Sequence, residues 1–93
     1  MIIALLAASL ALPAGAASYA DAKSAYDAGN YDQAASDFAG LVAAQPGDAA
    51  LHYDLGNALL KAGKLGRASA SYQRAFDLDP RDADGRHNLD FAL

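Results

Sequence analysis

Leu51-His52-Tyr53-Asp54-Leu55-Gly56-Asn57-Ala58-Leu59, read on through Ala68, Tyr72, Ala75 and Pro80, is the stretch that decides the fold of this chain. Leu51, Leu55, Ala58, Leu59 and Ala62 recur at the spacing of one helix face and predict an amphipathic helix. Asp48 caps its start, because a carboxylate there accepts from first-turn N–H groups and is favoured by the helix dipole. Gly63 ends it. A second helix, about Leu65 to Leu78, buries Ala68, Tyr72, Ala75 and Phe76. It stops ahead of Pro80, since the residue before a proline is pushed out of the α region. Gly56 lies inside the apolar face of the first of these helices. Two antiparallel helices approach closely only where one side lacks bulk, so Gly56 and Ala68 mark the crossing and Tyr72 fills the space beside it.

The same punctuation recurs at an offset of 34 residues. Ala28-Gly29 pairs with Ala62-Gly63, Ala34 with Ala68, Phe38 with Tyr72, and Pro46 with Pro80. Asp48-Ala49 pairs with Asp82-Ala83, Leu55 with Leu89, and Ala58-Leu59 with Ala92-Leu93. Chance similarity between alanine-rich helices would match alanines but not turn glycines and boundary prolines. The offset therefore predicts an earlier helix pair, about Ser18 to Ala28 and Tyr31 to Ala44. Gly29-Asn30 is its turn, because both residues tolerate a left-handed backbone. A further helix opens after a capping Asp82.

The pattern Leu55-Gly56, Gly63, Ala68, Tyr72, Ala75 and Pro80 resembles the tetratricopeptide repeat, whose signature combines these positions over 34 residues. The resemblance implies an all-α solenoid of antiparallel helix-turn-helix repeats. Two repeats would span about 15–48 and 49–82, and a partial third 83–93. The first copy matches through Gly29, Ala34, Phe38 and Pro46 but carries Ala22 at the glycine position and Asp21 where Leu is usual. In the second copy His52 replaces the frequent Trp and Leu59 the Tyr. In the third, Asp90 stands at the small position.

The beginning of the chain has a different character. Ile2 to Leu12 are apolar apart from Ser9, and Pro13-Ala14-Gly15-Ala16-Ala17 follows. An apolar core, a helix breaker and small residues in A-x-A register are a signal-peptide pattern, although no Lys or Arg precedes the core. Residues 1–17 are thus expected to be an export signal and 18–93 a repeat domain in the periplasm or cell envelope. The run is about half of the roughly 20 apolar residues that span a bilayer. Membrane association is accordingly expected only through an uncleaved signal or a downstream segment. The signal, together with Leu55-Gly56-Asn57-Ala58-Leu59 and the tail from Asp79 to Leu89, resembles the exported repeat proteins of bacterial aerotolerance operons. In those the repeats are often followed by a membrane helix.

Composition narrows the classes. The 93 residues carry a net charge of −4, with no Cys and, among the acidic side chains, only Asp. Disulfides and thiolate chemistry are excluded, and no basic stripe serves a nucleic acid. His52 and His87 lie in different repeats, and neither has a companion ligand at metal spacing. Asp77, Asp79, Asp82 and Asp84 are interrupted by Pro80 and Arg81, unlike a calcium loop. They read as a cap and as Asp77–Arg81 and Asp82–Arg86 pairs worth ~0.2–0.5 kcal/mol each. No nucleophile constellation, phosphate-binding loop or small-molecule site is evident. The chain is expected to be no enzyme and to need no cofactor.

In tetratricopeptide repeats the first helix of each pair lines the concave face. By that resemblance a protein or peptide partner would meet Tyr19, Lys23, Tyr53, Asn57, Leu60, Lys61 and His87, with Lys offered to a carboxylate. Some family members grip a peptide C-terminus with a Lys-Asn-Asn-Lys-Arg clamp. Its positions here hold Tyr19, Lys23, Asp54, Asp84 and Asn88, so that clamp is lost. The alternative expectation is a structural segment of a larger membrane-anchored protein, self-associating through the apolar stripe Leu89, Ala92 and Leu93.

Overall fold

Serine at 18 and aspartate at 21 start the first helix by satisfying each other's backbone. The Asp21 N–H donates to Ser18 Oγ and the Ser18 N–H donates to Asp21 Oδ2, both at 3.1 Å. A computed structural model describes residues 17–81 and shows four helices among them, with no strand. They are α1 (Tyr19–Asp27), α2 (Tyr31–Ala44), α3 (Ala49–Lys61) and α4 (Leu65–Leu78). The apolar segment through residue 16, the helix expected after Asp82, and His87 lie outside the described residues. The described residues form an all-α pair of helical hairpins, as the 34-residue offset requires, and each helix packs on the next.

The repeat is written into the turns as well as the core. α1 closes with Gly29 at φ 83°, its N–H donating to the Tyr26 carbonyl while the Asn30 N–H donates to Ala25. α3 closes identically one repeat on. Gly63 stands at φ 81° and donates to Leu60, and Lys64 donates to Leu59. This pair of hydrogen bonds satisfies carbonyls that a helix end orphans, and glycine enters the left-handed region most cheaply. Asn30 is not left-handed. At φ −87° it is the first flanking residue of α2, so Gly29 alone makes the reversal. The Asp48 carboxylate accepts from the Leu51 N–H at 3.3 Å and caps α3 as expected.

The core forms where the hairpins cross. Ala22, Ala34, Phe38, Ala58, Leu59, Ala68 and Tyr72 are all but inaccessible to solvent. Gly56 is the close approach. A Cβ there would fall 2.6 Å from both Cδ1 and Cε1 of Tyr72, inside any tolerable contact. His52, at the position expected to hold a flat ring, is buried, and its Nε2 donates to the Pro46 carbonyl at 2.8 Å. It thereby ties α3 back to the loop that precedes it. One expected surface pair is absent. α4 stops at Leu78, which leaves Arg81 off the helix, and Asp77 instead accepts from Gln73 Nε2 at 2.9 Å.

Candidate binding cleft

α1 and α3 are the first helices of the two hairpins. Between them, over a floor contributed by Phe38 of α2, opens a cleft of about 90 Å³. Lys23 and Tyr26 come from α1, and Asp54 and Asn57 from α3. Each pair is spaced three apart, which puts both members on one helix face. The cleft therefore has an aromatic lining with one cation, one anion and one amide around it.

Specific contacts set the orientation of these groups. The Tyr72 hydroxyl donates to Asn57 Oδ1 at 2.6 Å, so the buried ring fixes the amide that enters the cleft. The Tyr19 hydroxyl lies close enough to the Asp54 carboxylate for each to shift the other's titration. Lys23 Nζ lies 3.4 Å from Asp27 Oδ1, one turn along α1. Tyr26 meets Tyr31 edge to face at 5.3 Å. A second aromatic motif is duplicated by the repeat. Tyr19 packs on Phe38, and Tyr53 on Tyr72, with ring centroids 5.9 Å apart in both cases.

The electrostatics follow from burial. Asp54 is half-buried, and desolvation raises its pKa above the ordinary value of 3.8, against the opposing influence of the Tyr19 hydroxyl and the Lys23 charge. Tyr19 is pushed up chiefly by the negative charge of Asp54. Burial raises Tyr26, with Tyr31 adding to the shift. Among the described residues no group of three His, Cys, Asp or Glu side chains is gathered for a metal ion. None of their helices is long and apolar enough to cross a membrane.

Of the seven positions expected to face a partner, Lys23 and Asn57 line the cleft. Tyr19, 47% exposed, borders it through Asp54. Tyr53 and Leu60 are half-buried and pack partly on the core. Lys61 is exposed, with its Nζ 6.0 Å from the centroid of the Tyr31 ring. His87 is outside the described residues. Three lining residues lie beyond those seven. Tyr26 stands one repeat before Leu60, so the offset itself marks it. Asp54 lies three residues before Asn57 on the same face, where the sequence pattern shows only a broken clamp position. Phe38, a packing residue by its spacing, also forms the floor.

A helical hairpin repeated at 34 residues, with small residues at its crossings and side chains presented along the first helices, defines an interaction scaffold. The tetratricopeptide repeat family model matches residues 19–83, and the chain belongs to that family. Tetratricopeptide repeats generally mediate protein–protein interaction and are generally not catalysts themselves. No curated protein matches the chain.

Proposed function

We propose that this protein is an exported scaffold of the bacterial cell envelope that binds an extended segment of a protein partner along the α1–α3 face. The observation that carries the reading is the cleft of Lys23, Tyr26, Phe38, Asp54 and Asn57. It offers apolar rings for side chains and polar groups at its rim, in a volume suited to a side chain. Tyr19, Tyr53, Leu60 and Lys61 extend the same surface along the two helices. In this reading residues 1–17 are the leader and 18–93 the repeat domain, located in the periplasm. The likeness to the exported repeat proteins of aerotolerance operons supports the location.

Two measurements test it. A photo-crosslinking residue replacing Lys61, on the proposed face, should trap a partner in envelope preparations. The same residue at Arg74, exposed on α4, should not. Equal trapping at both positions would count against a defined face. For export, residues 1–17 are fused to a phosphatase reporter whose disulfides form only outside the cytoplasm. An inactive reporter would sink the leader assignment.

A further inference from the structure

We propose that Asp54 reads a cationic side chain, arginine or lysine, carried by the extended segment bound in the cleft. The inference deepens the peptide-binding reading above and rests on it.

Asp54 carries an incompletely compensated charge. It is half-buried between α1 and α3, where a carboxylate needs partners for its acceptor sites. Among the described residues the ion pairs are Lys23–Asp27 and Lys64–Asp32, and neither involves Asp54. The Tyr19 hydroxyl beside Asp54 is neutral and supplies no opposing charge. The cation in the lining, Lys23, is drawn 3.4 Å from Asp27 at the exposed surface. Asp48 adds further negative field at Asp54. Asp27, Asp48 and Asp54 against Lys23 leave this end of the cleft with a net charge of −2.

The walls fit the same ligand. Tyr26, partly exposed, offers a ring that attracts a cation and can cover the apolar stem of a long basic side chain, while the buried Phe38 keeps the floor beneath it apolar. About 90 Å³ accommodates the head of one such side chain rather than a whole helix. An anionic ligand would meet Asp54 with only the already paired Lys23 to offset it. The complementarity therefore favours a cation.

The test is fluorescence anisotropy with the full chain and short Ala/Ser peptides carrying Arg, Gln or Glu at the centre. The Arg peptide should bind about tenfold more tightly than the other two. Asp54→Asn should erase that preference while leaving the Gln peptide unchanged. Lys23→Gln, which removes a like charge, should tighten the Arg peptide several-fold. Equal binding of all three peptides, or an Asp54→Asn variant that keeps the preference, would overturn the cation reading and leave the peptide groove standing. A preference for Glu would overturn it in favour of Lys23 as an anion receptor. Binding of none of the peptides would remove the groove and the inference together.

Discussion

Replacing Gly56 with alanine adds one methyl group to the interior of α3, and the structure fixes where that methyl lands. It would stand 2.6 Å from Cδ1 and Cε1 of Tyr72 and 3.1 Å from Cζ. The Tyr72 ring is fully buried, and its hydroxyl is held by Asn57 at 2.6 Å, so it has little room to retreat. Helix propensity alone would favour alanine by about 1 kcal/mol. Against this stand an overpacking cost of ~1–3 kcal/mol and ~0.5–1.5 kcal/mol for the Tyr72–Asn57 hydrogen bond if the ring is displaced. Steric cost wins, and the three contributions together leave a net destabilisation of about 0.5–3.5 kcal/mol. Gly40, exposed inside α2 with nothing within 4 Å of the place a methyl group would take, is the internal control. There the propensity term acts alone and Gly40→Ala should stabilise by roughly 0.5–1 kcal/mol. Urea unfolding followed by circular dichroism reads both. With a slope of about 1 kcal/mol per M, the midpoint should fall by about 0.5–3.5 M for Gly56→Ala and rise for Gly40→Ala. If both variants rise together, the Gly56–Tyr72 contact does not limit the packing of this hairpin and the reasoning fails.

Three further outcomes follow from particular contacts. Tyr72→Phe keeps the ring but takes the donor from Asn57, and should cost about 1 kcal/mol in the same urea titration. Gly63→Ala places a side chain at φ 81° and should cost about 1–2 kcal/mol, although nothing lies within 4 Å of the new methyl; no loss would show that the turn rearranges freely. Asp54 has a folded-state pKa raised by burial, so the folded protein takes up this proton at a higher pH than the unfolded chain. Its penalty is absent below the unfolded value and returns as pH rises through the folded one, so the advantage of Asp54→Asn in unfolding midpoint should shrink on acidification from pH 7 toward about 4.

How much of this was legible in the sequence depends on whether a feature is local or comes from two helices meeting. Gly29, Gly63, Pro46 and Pro80 act through their own backbones, so their positions placed every described turn. Gly56 and Tyr72 were legible too, because a glycine in an apolar stripe has few uses other than close approach. The Asp77–Arg81 pair failed for a local reason, since α4 ends at Leu78 before the face reaches Arg81. Asp54 and Tyr26 were harder. Each is one residue on one helix, and only the packing of α1 and α3 against α2 brings them into one cleft. Periodicity gives the face on which a side chain sits, but not what stands opposite.

The two hairpins also show how one scaffold position becomes a site position. In the second repeat Gly56, Asn57 and Tyr72 act together. The small residue admits the ring, and the ring's hydroxyl engages the amide. One repeat earlier the same places hold Ala22, Lys23 and Phe38. Phe38 has no hydroxyl to anchor it, and its ring meets Tyr19 at 65°, whereas Tyr72 meets Tyr53 at 48°. A ring without that tether can settle beside a methyl, so alanine is tolerated at 22 where glycine is needed at 56. Lys23, with no hydroxyl below it, extends to Asp27 at the rim, while Asn57 is fixed in the wall. The exchange of three residues together therefore leaves the fold unchanged and puts different groups at matching places on the two sides of the cleft, a long cation on α1 and a short amide on α3. In the peptide-binding reading proposed above, that asymmetry would let a cleft between two copies of the same hairpin distinguish the direction of a bound chain.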